Sequence, residues 1–201
     1  AGSVNGDCVI SGCYNSGNVT GTTGYIGGVT GQHWRAGTVE NCYNTGTVTG
    51  PATVGGVTGG HKAASPVLTG CYNAGMVIDS AGNANNIGAV VGASRGTNSG
   101  CFYLKGTGTD SKDGITETEA LDAAALGPGF KTDDDNLNGG YPVLAWQTKV
   151  PDVIIGSYEE LKAFADSVNS GDTYESKLIR LDVNVYLGGN SNPWTPIGTS
   201  A

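Results

Sequence analysis

The chain has 201 residues, 14% charged and 38% hydrophobic, which suits one large or two small folded domains and excludes a charged disordered tail. Its formal net charge of -8, without any Lys/Arg cluster, argues against a phosphate-binding surface, so no nucleic-acid partner is expected. No apolar run of about 18 residues occurs, and Ala1–Gly6 lack the basic and apolar regions of a signal peptide. A soluble chain, mature or excised, without membrane insertion is therefore expected.

The chain opens with a repeat. Cys13-Tyr14-Asn15-Ser16-Gly17-Asn18-Val19-Thr20-Gly21 returns as Cys42-Tyr43-Asn44-Thr45-Gly46-Thr47-Val48-Thr49-Gly50 and as Cys71-Tyr72-Asn73-Ala74-Gly75-Met76-Val77-Ile78, each copy starting 29 residues after the last. A second phrase alternates with it, as Ile26-Gly27-Gly28-Val29-Thr30-Gly31, Val54-Gly55-Gly56-Val57-Thr58-Gly59 and Ile87-Gly88-Ala89-Val90-Val91-Gly92. Cys101-Phe102-Tyr103 begins a degenerate fourth copy. The 35 glycines fall at fixed repeat positions without a collagen-like period, so they read as turn residues.

Within each unit, short runs rich in Val, Thr, Ile and Tyr alternate with Gly and Asn, giving about three strand-sized segments and no helical periodicity. Such a unit cannot bury its apolar side alone, so copies must stack at about 4.8 Å. The expected fold is an all-β, right-handed parallel β-solenoid with small α elements, the hand following the default for parallel crossovers. Its inward column is expected to be Cys13, Cys42, Cys71 and Cys101, joined by Val19, Val48 and Val77, by Ile26, Val54 and Ile87, and by Val29, Val57 and Val90. Five cysteines cannot all pair with each other, and a column of buried thiols suits the repeat better than a disulfide framework. Asn15, Asn44 and Asn73 are expected at turns, with each side-chain amide bonding its equivalent in the next coil. Gly17, Gly46 and Gly75 are expected to close the corner with positive φ.

Residues 1–106 thus form the solenoid. After Gly106 the repeat is expected to stop, and residues 107–150 to form a cap over the end of the stack. Thr116-Glu117-Thr118-Glu119 predicts the capped start of a short helix reaching Leu126, stopped by Gly127-Pro128-Gly129. Phe130, Tyr141, Pro142, Val143, Leu144 and Trp146 supply the apolar body of that cap. Residues 151–201 open a further unit: Ser157-Tyr158-Glu159-Glu160 starts an amphipathic helix over about 158–169, ended by Gly171, and Lys177–Leu187 alternates like one or two strands. Asn192-Pro193-Trp194-Thr195-Pro196-Ile197-Gly198 follows as the opening of a coil.

Together these residues resemble the GLUG-repeat proteins of bacterial cell surfaces, whose repeat joins a Gly-Gly-hydrophobic-x-Gly segment to a Cys-Tyr-Asn-x-Gly-x-Val segment. The closing phrase Asn138-Gly139-Gly140-Tyr141-Pro142-Val143-Leu144-Ala145-Trp146-Gln147 and the helix and strand from Tyr158 to Leu187 are similar to the family's domain ends and starts. The resemblance implies a structural, non-catalytic module of an extracellular, cell-surface or secreted bacterial protein. Two departures stand out: the chain enters a coil in mid-phrase at Gly2–Gly6, and the family's strand after Pro196-Ile197-Gly198 does not follow. The expected partners are therefore copies of itself or adjoining domains of a long chain, head to tail, forming a fibre or a rigid spacer.

Other chemistry is thinly supported. His33 and His61 share an offset after their glycine phrases, on what reads as a loop face; with Trp34 and Arg35 they could contact a glycan, a host surface or, for the two histidines, a metal. Asp133-Asp134-Asp135-Asn136-Leu137-Asn138-Gly139 concentrates oxygen ligands but lacks the full calcium-loop spacing. Asp7, Glu40 and Asp79 are the acids of the coil region and none is paired, which leaves polysaccharide cleavage unsupported. No catalytic residue, cofactor or metal is assigned.

Overall fold

A computed structural model describes residues 2–4, 7–82, 86–175, 177–182 and 197. The chain divides into two compact units, residues 1–147 and 148–201.

The first unit is a parallel β-solenoid with five strand positions per coil. Coil one holds β1 (Ser3–Val4), β2 (Val9–Ser11), β3 (Tyr14–Asn15), β4 (Val19–Thr20) and β5 (Tyr25–Gly27). Coil two repeats them as β6 (Thr30–His33), β7 (Thr38–Glu40), β8 (Tyr43–Asn44), β9 (Val48–Gly50) and β10 (Thr53–Gly55), and coil three as β11 (Thr58–His61), β12 (Val67–Thr69), β13 (Tyr72–Asn73), β14 (Val77–Asp79) and β15 (Asn86–Gly88). Coil four has β16 (Val91–Ala93), β17 (Thr97–Ser99) and β18 (Cys101–Leu104). Every strand pairs in parallel with its equivalent one coil away, so Tyr14, Tyr43, Tyr72 and Phe102 share one register position and Asn15, Asn44, Asn73 and Tyr103 the next. The repeat thus has five short sides where composition suggested about three.

The core divides around this pentagon. Val39, Cys42, Val57, Leu68, Cys71, Val90, Val91 and Cys101 make one buried cluster, and Ile26, Val48, Val54 and Val77 make another. Val19, Val29 and Ile87 are only partly buried and flank these clusters. Cys13, expected inside, is exposed, because its coil is the outermost and nothing stacks on it. The corner before each cysteine is set by Gly12, Asn41, Gly70 and Gly100, all with φ between 49° and 61°. Gly17, Gly46 and Gly75 do not have positive φ. They are glycine for space: a Cβ on Gly46 would lie 2.0 Å from the Gly17 carbonyl oxygen, and one on Gly75 2.0 Å from that of Gly46.

Past Gly106 the repeat shortens rather than stops. The Thr107 and Thr109 carbonyls accept from Val77 and Ala89, and β19 (Ile115–Thr118) adds a fifth strand beside β18. The helix expected from Thr116 is therefore a strand, since pairing along four residues of β18 satisfies more backbone than one helical turn would. Only α1 (Ala123–Leu126) is helical, capped by Asp122. The following segment, with β20 (Phe130–Lys131) antiparallel to β21 (Val143–Leu144), packs not over the end but along the flank, where Ala123, Leu126, Phe130 and Leu144 cluster on Tyr43 and Tyr72. Residues 107–118 cover the end instead.

The second unit is a parallel β-α-β arrangement of β22 (Val153–Ile155), α2 (Tyr158–Asn169) and β23 (Ile179–Leu181). Ser157 Oγ accepts from the Glu160 amide, as the capping-box pattern predicts, while the Glu160 carboxylate reaches one residue past the cap and accepts from the Gly156 amide. Gly171 follows with φ 102°. The strand expected to run to Leu187 and the phrase at 192–198 fall, apart from β23 and Ile197, outside the described residues, as do Asn5 and Gly6.

Candidate functional site: three side-chain ladders

The side that carries β3, β8 and β13 holds three columns of like residues. On the outside, the Tyr14, Tyr43 and Tyr72 rings stack with centroids 5.1 and 5.0 Å apart, the second pair only 2° from parallel. Phe130 lies tilted across Tyr43 and Tyr72 at 6.4 and 5.5 Å. Tyr43 donates to Gln147 Oε1 at 3.1 Å, and Tyr72 donates to the Pro142 carbonyl while accepting from Asn138 Nδ2 at 2.7 Å. Burial pushes the Tyr43 phenol up to about 12 and raises that of Tyr72 further, so both stay protonated as donors. The flank segment is thereby fastened to the stack by hydroxyl groups that are nearly dry.

Inside run the amides and thiols. Asn15 Nδ2 donates to Asn44 Oδ1 and Asn44 Nδ2 to Asn73 Oδ1, each at 2.7 Å, and every one also donates to the carbonyl two residues on, at Gly17, Gly46 and Gly75. The residues expected at turns are thus in strands, and the expected amide ladder forms between them. Asn44 and Asn73 are fully buried, which such an amide tolerates only when paired. The Cys13 and Cys42 amides donate to the sulfurs of Cys42 and Cys71, each at 3.4 Å. Burial holds the Cys71 thiol well above its ordinary value, and burial also raises Cys13. Cys42 and Cys101 move the other way, lowered first by their hydrogen bonds with Cys71, yet these three sulfurs are fully buried and act as packing groups, while Cys13 is exposed.

The anticipated loop face is largely not one. His33 and His61 sit in strands β6 and β11, each 1% exposed, with ring centroids 6.2 Å apart. The strand continues for two residues beyond Thr30-Gly31 and Thr58-Gly59, carrying both rings inward. Among the described residues, both nitrogens of His33 and Nε2 of His61 lack hydrogen-bond partners; His61 Nδ1 lies 3.4 Å from Ser94 Oγ. Burial lowers both imidazoles, His61 to about 4, so both are neutral at physiological pH. Trp34 and Arg35 are exposed beyond them, with Lys62 Nζ 4.3 Å from the centre of the Trp34 ring and 5.2 Å from that of Tyr25. In the Asp133 loop, both carboxylate oxygens accept backbone amides, from Leu137, Asn138 and Gly140. That carboxylate serves its own loop. Burial opposes its charge, yet those three donors hold it below its usual value.

Sequence reasoning missed the residue that closes the stack. Asp110, its side chain fully buried, accepts from the Val90 and Val91 amides at 3.1 Å each and from Lys112 Nζ at 2.9 Å. It replaces the backbone of a missing strand, and nothing in the repeat marks that role. Lys62, over Trp34, was likewise not singled out.

Stacked coils bound by equivalent residues in register define a repeat protein of the parallel β-solenoid class. Residues 22–49 match the family model of the GLUG motif. Neither the curated proteins nor the solved structures contain a match to the chain.

Proposed function

We propose that the chain is a rigid structural module of a bacterial extracellular or cell-surface protein, spacing or displaying what adjoins it. The observation that carries this reading is the amide ladder, because buried, directional side-chain pairing repeated coil after coil stiffens a stack and performs no chemistry. The spacer form is favoured over direct end-to-end stacking of copies, since residues 107–118 cover one end of the coils. The test is a series in which residues 43–71, one full repeat, are deleted or duplicated, with the maximum dimension measured by small-angle scattering. A spacer changes length by about 4.8 Å per coil. An unchanged dimension in well-folded variants would sink the reading.

A second reading, adhesion to a glycan or host surface, draws on one observation: Trp34 is 45% exposed and offers its ring with Lys62 beside it. Trp34→Ala should then abolish binding on a glycan array while leaving the melting temperature unchanged. His33 and His61, being buried, have no part in that surface.

A further inference from the structure

We infer that the corner between the first and second strands of coils two to four binds an acidic polysaccharide, a chain with a carboxylate on every sugar, laid along the coil stack. This names the ligand class of the adhesion reading and rests on it.

The cations of the solenoid are gathered in one place. The chain has ten Lys and Arg, and residues 1–104 hold three of them, Arg35, Lys62 and Arg95. Arg35 lies between β6 and β7, Lys62 between β11 and β12, and Arg95 between β16 and β17, so all three stand at the same corner of successive coils. All are exposed, and among the described residues none makes an ion pair, whereas six of the seven cations outside the coils do. In coils two to four this corner holds no carboxylate, since Glu40 and Asp79 end β7 and β14 instead. Asp7, at the corner of coil one, pairs with none of the three. Like charges one coil apart, at about 4.8 Å, repel each other, and an anion laid across them removes that repulsion.

Two aromatic faces sit among these charges. Lys62 carries the parallel pairing one residue past β11, its amide donating to the His33 carbonyl at 2.9 Å, which sets it beside Trp34 and on the side away from Arg95. Its Nζ lies 4.3 Å from the centre of the Trp34 ring and 5.2 Å from that of Tyr25, so one ammonium group steadies both rings. Gly60 makes the room for this: a Cβ there would lie 2.9 Å from Tyr25 Cε1.

The combination selects the ligand. An aromatic face takes the apolar face of a sugar ring, and an unpaired cation takes a carboxylate. The coil spacing of about 4.8 Å is close to the length of one sugar unit in a chain, so successive coils meet successive carboxylates. A densely charged polyphosphate is disfavoured by the net charge of -8.

The test titrates the full chain at low salt with a polygalacturonate oligomer, its neutral methyl ester and a single-stranded DNA of equal length. The acid form is expected to bind about tenfold tighter than the ester and to weaken steeply as salt rises. The double substitution Lys62→Ala and Arg95→Ala should cost about tenfold in affinity at an unchanged melting temperature, while Lys131→Ala on the flank segment costs nothing. Should the double variant melt lower, Lys62→Gln and Arg95→Gln repeat the measurement with the chain length kept. Equal binding of acid and ester, both lost on Trp34→Ala, overturns the acidic ligand and leaves adhesion to a glycan standing. DNA held as tightly as the acid form overturns it as well. Binding of neither sugar form overturns it too, and the glycan array then decides the adhesion reading by itself.

Discussion

Asn44 Nδ2 donates to Asn73 Oδ1 at 2.7 Å with neither side chain reaching solvent. The pair lies mid-column, so Asn44 also accepts from Asn15 and donates to the Gly46 carbonyl. Replacing it by Ala strands several buried groups at once, each costing on the order of 1–3 kcal/mol. Asn44→Ala should therefore lose about 3 kcal/mol in urea unfolding of the first unit. Asn15→Ala, at the open end, should lose about 1 kcal/mol by the same reasoning. Equal losses would mean that the ladder is not cooperative with burial.

The same end-against-middle logic applies to glycine. Gly46→Ala drives a methyl group into the Gly17 carbonyl, whereas Gly17→Ala makes only an ordinary contact with Asn15 Oδ1 at 3.8 Å. We expect Gly46→Ala to cost about 3 kcal/mol or to prevent folding, because the obstacle is backbone on both sides, and Gly17→Ala to change stability by less than about 0.5 kcal/mol. Thermal melting followed by circular dichroism decides between them.

Much of this arrangement is readable from the chain, and what is not has a physical reason. The 29-residue return of Cys-Tyr-Asn fixes which residues stack, because a parallel solenoid places equivalent positions one above the other. Burial of His33 and His61 is not readable, since a polar side chain after a glycine phrase looks like a loop until the strand is seen to run on to it. Thr116 to Glu119 carries a genuine helix-start pattern, and only the vacant edge of β18 overrides it. Asp110 is invisible for a similar reason: its importance comes from amides some 20 residues away in sequence.

Those amides make Asp110 a sharp point of failure. Its carboxylate, fully buried, neutralises Lys112 and caps two strand amides. Lys112 is itself 24% exposed, so the cost of removing the carboxylate is that of stranding the two strand amides, on the order of 1–3 kcal/mol each. Asp110→Ala should bring that loss to the first unit, with hydrogen exchange rising first in β15 and β16. Asp110→Asn, which keeps an acceptor oxygen, should recover part of it.

The histidine pair predicts a pH dependence with a definite sign. In the unfolded chain each imidazole titrates near 6.5, while in the fold burial lowers both, His61 to about 4. Between those values the unfolded state binds more protons than the folded one, so stability is full above about pH 6.5 and falls as pH drops toward 4. For His61 alone the loss is on the order of 3 kcal/mol. Among the described residues the polar contact of this column is Ser94 Oγ, 3.4 Å from His61 Nδ1, and the charged form of His61 is opposed by the His33 ring, whose centre is 6.2 Å away. The double substitution His33→Phe and His61→Phe should therefore flatten the profile over this window. At pH 7 it should be neutral or stabilising, since three of the four ring nitrogens removed are buried without hydrogen-bond partners among the described residues. Urea midpoints measured from pH 4 to 8 in both proteins test this, and a slope that survives the double substitution would locate the titrating groups elsewhere.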